Sequence, residues 1–264
     1  MPLDHFPMPN SQNLASPLEI AHSEATATRN WMAGDVSVDD EISSSTGNEI
    51  YETTDSEIVE MTDSETIERT DSTGQTALHR AVITGALQVV ENLLDHGHSL
   101  DPQDVLRNQP LHYAVLGASE KLVQLLLKRR ADVNAPGNLG RRPLHLCLRF
   151  PKVLKVVLQA EPHMSATDFH GDTALHLACS SIGTEKPAKG SIIERLIRSG
   201  ADVNTVNRAG SSPFHMLLEK PQMSGPYSDE YIVLFLENGA DLSLKTIRGE
   251  LPFAVFIENS NFRW

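Results

Sequence analysis

The stretch Gly171-Asp172-Thr173-Ala174-Leu175-His176-Leu177-Ala178-Cys179 holds a histidine that does not stay single. Thr76-Ala77-Leu78-His79 repeats its core, Pro110-Leu111-His112 and Pro143-Leu144-His145 lie between, and Ser212-Pro213-Phe214-His215 follows. The steps from one histidine to the next are 33, 33, 31 and 39 residues, and a further 39 reaches Ala254 in Leu251-Pro252-Phe253-Ala254. Self-similarity near 33 residues means a stacked array, in which each unit buries its apolar face only against its neighbours. The two long steps contain residues 180–191 and 219–230, which read as polar insertions carrying Pro and Gly.

One unit shows the logic. Pro110 suits the first position of a helix, where an N–H would have no intrahelical partner, and that helix should end at Gly117. Ser119 can cap a second helix with Leu122, Val123, Leu125, Leu126 and Leu127 on its apolar side. Ala131-Asp132-Val133-Asn134 then leads through Pro136-Gly137-Asn138 into a tight turn. The units run 73–106, 107–139, 140–170, 171–209 and 210–248, with a partial copy at 249–264. Gly97, Gly200 and Gly239 fall where a helix ends in left-handed backbone; by register, Arg130 and Glu161 fill that position in the second and third units. The third unit is two residues short and starts its second helix near Pro151. In the partial copy, Phe253, Phe256, Phe262 and Trp264 are placed to cover the end of the core.

The pattern resembles the ankyrin repeat, G-x-T-P-L-H-x-A followed by a second helix and G-A-D-V-N, over residues 73–264. The resemblance implies an all-α solenoid of helix pairs with hairpin-like loops projecting to one side. It also implies a histidine that ties neighbouring units by hydrogen bonds, and a surface of loop tips and first helices that binds other proteins. No catalytic chemistry comes with it.

Residues 1–72 differ in kind. They carry sixteen Asp and Glu against Arg29 and Arg69, whereas the remainder has nineteen acids and twenty bases. So acidic and apolar-poor a segment is expected to be disordered. It contains a short repeat, TDSEIVEM at 54–61 and TDSETIER at 62–69, in which Thr54 and Thr62 each have an acid three residues on and are candidate phosphorylation sites. An acidic arm on a near-neutral body argues against nucleic-acid binding. Two cysteines, no apolar run of membrane length and no secretory leader point to a soluble protein of the cytoplasm or nucleus, monomeric and without a membrane partner.

Five histidines, with Cys147 and Cys179 close to two of them, suggest a metal. But equivalent residues of a stack stand ~10 Å apart, and zinc needs its ligand atoms ~2.0–2.3 Å from one centre. No metal or cofactor is expected. His96-Gly97-His98 reads as a solvated turn. There is no G-x-S-x-G, P-loop or G-x-G-x-x-G, so no enzyme is expected. Function is expected instead at the loop tips: Val105 and Leu106, Asn138 and Leu139, Phe169 and His170, Arg208 and Ala209, Ile247 and Arg248. The residue after each histidine (Arg80, Tyr113, Leu146, Leu177, Met216) should line the first-helix face. Residues 121–155 carry nine bases, including Arg141 and Arg142, against Asp132 alone, and could receive a partner's acidic or phosphorylated segment or the protein's own tail. The layout of an acidic arm and this array is similar to that of cytoplasmic inhibitors of Rel-type transcription factors, although Asp71-Ser72-Thr73-Gly74 lacks the D-S-G order of their degradation signal. A substrate adaptor for a ubiquitin ligase and a fragment of a larger ankyrin-containing enzyme are the other readings.

Overall fold

The computed structural model describes residues 69–181, 191–219 and 228–259. The chain divides into two units, 1–51 and 52–264, and everything described belongs to the second. The acidic segment up to residue 68, with Thr54 and Thr62, lies outside the described residues, as do 182–190 and 220–227 of the two insertions, the side chain of Phe256, and Phe262 and Trp264.

The described helices come in pairs. First helices are α1 (Ala77–Ile83), α3 (Pro110–Leu116), α5 (Pro143–Leu146), α7 (Ala174–Ser180), α9 (Pro213–Leu218) and α11 (Pro252–Asn259). Second helices are α2 (Leu87–Asp95), α4 (Glu120–Lys128), α6 (Pro151–Gln159), α8 (Ile192–Arg198) and α10 (Ser228–Glu237). Each first helix packs on the next, and α2, α4 and α6 form a second row behind them. Among the described residues there is no strand, only an isolated bridge between Thr167 and Thr173. The architecture is an all-α solenoid.

The residue before each histidine explains the packing. Leu78, Leu111, Leu144, Leu175 and Phe214 are all at most 2% exposed. They meet the apolar sides of the second helices: Val90 and Leu93; Leu122, Val123 and Leu126; Val153, Leu154 and Val157; Ile193, Leu196 and Ile197; Tyr231 and Phe235. A buried aliphatic side chain stabilises by roughly 1.5–3 kcal/mol, so these layers dominate the energetics of a stack. At the far end Phe214 stacks on Phe235, and Phe253 of α11 meets Phe214 edge-on.

The histidines fasten unit to unit. Nδ1 of His79, His112, His145, His176 and His215 accepts the backbone N–H of the residue that caps its own helix, at 3.1–3.2 Å. Nε2 faces a carbonyl of the following loop: Asn108, Ala135, Ala166 (with Asp172 at 3.2 Å), Ser211 and Glu250, at 3.0–3.3 Å. A carbonyl only accepts and an amide only donates, so each ring is the neutral tautomer with its proton on Nε2. Burial pushes all five pKa values below the ordinary histidine range.

The centre of the array is irregular for a local reason. Pro151 opens α6 and holds Phe150 out of the helical region at φ −122°, ψ 85°. Helix α5 is cut to four residues and tightens into a 3₁₀ turn, Cys147–Arg149. The helix-end register holds: Arg130 (φ 72°) and Glu161 (φ 51°) are left-handed like Gly97, Gly200 and Gly239. His98 departs from expectation. It is 6% exposed, because it stands where Ala131, Ala201 and Ala240 stand and that position turns inward. Of the two histidines in this turn, His96 is the solvated one.

Replacing Arg130 or Glu161 with Gly should relieve left-handed strain and stabilise the chain by roughly 0.5–1 kcal/mol, read as a higher urea midpoint at unchanged m. The histidines set a pH dependence. Their folded pKa values lie below the unfolded value near 6.5, so below that pH the unfolded chain binds protons that the folded chain refuses. Stability should be full above about pH 6.5 and fall as pH drops, by up to about 1.4 kcal/mol per pH unit for each histidine, in urea unfolding at pH 7.5 and 5.5.

Candidate functional site

Between units the chain makes six five-residue loops: 71–75, 104–108, 137–141, 168–172, 207–211 and 246–250. In each, the first N–H donates to the fifth carbonyl, at 2.9–3.1 Å. The fourth residue is left-handed: Gly74, Arg107, Gly140, Gly171, Gly210 and Gly249. In four loops an Asp or Asn opens the turn, and its Oδ1 accepts from the third and fifth N–H groups. Asp71 holds Thr73 and Gln75, Asp104 holds Leu106 and Asn108, Asp168 holds His170 and Asp172, and Asn207 holds Ala209 and Ser211. The Thr246 hydroxyl does the same for Arg248 and Glu250. Gly137 has no side chain to do so.

The loops are stitched into a row. The second N–H of one loop donates to the third carbonyl of the loop before it: Val105 to Thr73, Phe169 to Leu139, Arg208 to His170 and Ile247 to Ala209, at 2.9–3.1 Å. Asn138 makes the remaining rung to the Asn108 Oδ1. The second and third residues of each loop are the tip positions singled out from sequence, and this ladder aligns them along one edge. Val105 is 68% exposed, Phe169 53% and Ile247 78%; Leu106 and Leu139 are exposed too, as are His170 and Arg208. Phe169 also leans back: a β-carbon on Gly140 would come within 2.6 Å of its ring.

The residues after the histidines are half-buried, and Arg80, Tyr113 and Met216 reach the loops. Arg80 pairs with Asp71 at 3.6 Å and donates to the Gln75 carbonyl. The Tyr113 hydroxyl donates to Asp104 Oδ2, and burial together with that carboxylate raises its pKa. Leu146, Leu177 and Met216 put an apolar surface in the equivalent places.

Where Leu177 offers no donor, the buried Asp168 is met from the neighbouring unit. Arg141 Nε lies 3.6 Å from Asp168 Oδ2, and neither atom has a hydrogen-bond partner among the described residues. Arg142 Nη1 donates to the Asn134 carbonyl at 2.6 Å. The basic run at 121–155 is therefore not one surface. Arg129 pairs with Asp95, Arg141 and Arg142 brace the loop base, and Lys121, Lys128, Lys152 and Lys155 stand exposed on the second helices, away from the loop tips. Contiguity along the chain is dispersed by the helix–turn–helix geometry.

The bracing residue that opens five of the six loops was missed by sequence reading, yet its signal was there. Asp71, Asp104, Asp168, Asn207 and Thr246 all stand three residues before the left-handed position.

The matches to known proteins follow the same periodicity. A family model described as ankyrin repeats (3 copies) matches residues 51–137, and one for a single ankyrin repeat matches 170–208. The chain is 32% identical to human B-cell lymphoma 3 protein over 162 residues, 57% of this chain and 34% of that protein. It is 27% identical to the chicken nuclear factor NF-kappa-B p105 subunit over 69% of this chain and 19% of the other. With human ankyrin repeat and SOCS box protein 6 it shares 30% identity over 63% of this chain and 44% of the other. The chain thus spans less than half the length of these relatives.

The bracket at Asp168 has a stability consequence. Asp168→Ala leaves two loop N–H groups without their acceptor and should cost roughly 1–3 kcal/mol in urea unfolding. Asp168→Asn should cost less than half of that, since Asn207 performs the same task one unit on.

Proposed function

This chain belongs to the ankyrin repeat family, and from that premise we propose that it is a non-catalytic protein-interaction module that grips its partner with the loop edge and the adjoining first-helix face. One observation carries the reading: large apolar side chains, Val105, Leu139, Phe169 and Ile247, stay exposed in a row that a ladder of hydrogen bonds between successive loops holds in register. A single exposed apolar residue needs no explanation, but a fixed row of them is a partner surface. Leu106, Tyr113, Leu146 and Leu177 extend the apolar contact area, and Arg141, Arg142, His170 and Arg208 favour a partner segment that is acidic or phosphorylated.

The polar side chains support the non-catalytic half. All five repeat histidines spend both ring nitrogens on backbone groups. The Cys147 thiol is pushed up to about 12 by burial and Cys179 is pushed up further, the reverse of what a nucleophile needs. No described helix is long and apolar enough to cross a membrane. A second reading, in which the partner is a transcription factor held inactive, is favoured by the alignment with the p105 subunit over most of this chain.

Phe169→Ser and Ile247→Ser alter exposed tips and should leave stability within about 0.5 kcal/mol of the parent. Both should strip bound partners in affinity capture of the full chain, whereas Lys152→Ala and Lys155→Ala on the second helix should retain them. Equal capture by all four variants would refute the loop edge.

A further inference from the structure

The chain enters the described structure at the loop edge itself. Asp71, two residues after Arg69, opens the first loop, and Thr73 supplies the first rung of the ladder. The seventeen residues before Arg69, 52–68, carry seven carboxylates and no Lys or Arg. Their apolar residues are flanked by acids, as in Glu57-Ile58-Val59-Glu60 and Glu65-Thr66-Ile67-Glu68.

The edge presents the complement. Exposed Leu139 and Phe169 sit among Arg141, His170 and Arg208. Arg208 lies across Gly171, where a β-carbon would fall 2.8 Å from its amide nitrogen and 3.1 Å from its Cγ, and its own N–H bonds the His170 carbonyl. Among the described residues Arg208 has no ion pair, and Arg141 has only the long contact from Nε to the buried Asp168. That contact engages Nε, and the Arg141 side chain keeps 26% of its surface exposed.

We propose that residues 52–68 fold back along the loop edge, with Ile58 and Val59 against Leu139 and Phe169 and the carboxylates of Glu57 and Glu60 on Arg141 and Arg208. The arm then covers the surface a partner would take, and phosphorylation of Thr54 or Thr62 adds negative charge that tightens the cover. This rests on the loop-edge reading above. The arm is long enough: packed helices are spaced by about 8–10 Å, so the loop of Phe169 is ~30 Å from the first loop. The 13 residues from Ile58 to Asp71 span up to about 43 Å when extended.

A nitroxide at Ser56→Cys, which keeps the Ile58–Val59 pair intact, tests it in the full chain, since Cys147 and Cys179 are both buried. At low salt the amide NMR signals of Leu139, Phe169, His170 and Arg208 should weaken roughly twofold or more, and recover near 1 M salt, where the screening length falls to ~3 Å. They should also recover in Glu57→Gln/Glu60→Gln, which leaves the repeats untouched. The fold-back is overturned if these signals do not weaken, or if Lys152 and Lys155 weaken instead. It is also overturned if the same loss appears on isotope-enriched chain without nitroxide when that chain is mixed with nitroxide-bearing chain, which would assign the arm to a second copy. If the label leaves the edge untouched while Phe169→Ser still strips partners, the arm is wrong and the loop-edge reading stands. If the signals weaken but Phe169→Ser keeps every partner, the fold-back stands and the partner reading falls.

Discussion

Everything described depends on one imidazole ring set between two backbone groups. Its Nδ1 closes the start of its own helix, and its Nε2–H reaches the loop that follows. A glutamate in that helix position could satisfy only the first of these, because a carboxylate has no proton to offer a carbonyl. The ring joins local helix capping to the non-local contact between units. It must stay neutral to do so, which is why it sits beneath the loops with its pKa lowered by burial.

From that fastening the loop edge follows. A loop whose base is held by the histidine, whose turn is braced by an Asp or Asn, and whose second N–H is taken by the preceding loop has little freedom left. Its second and third side chains are then presented outward without ordering cost at binding, the condition under which exposed apolar groups give affinity. The loop backbone is largely spent on these bonds, and the tip side chains are variable because none of that work falls on them. This division of labour explains how Val105, Asn138, Phe169, Arg208 and Ile247 differ in chemistry while occupying equivalent places.

The periodicity of Leu-His pairs made the solenoid legible before any coordinates, and counting in register placed Arg130 and Glu161 in left-handed backbone. The tip positions were legible for the same reason. What escaped depends on contacts that a one-dimensional pattern does not carry. His98 looks like a turn residue, but the wall behind that turn decides its burial. The Asp168 bracket looks like ordinary turn composition, because a short polar residue in a loop has many uses. The basic run looks like one patch, yet Arg129 reaches back to Asp95 while Arg141 reaches forward to Asp168.

The fastening has a consequence for how such a chain lengthens. His79 and its carbonyl are 29 residues apart in sequence, His112 and its carbonyl 23, and His176 and His215 each 35, yet the bond closes at nearly the same distance. The gauge of the array is thus set in space and not along the chain. Extra sequence placed between a first and second helix, as at 182–190 and 220–227, is bypassed by both anchors. Such segments are free to grow, shrink or acquire new content by mutation without changing the pitch at which the tips recur.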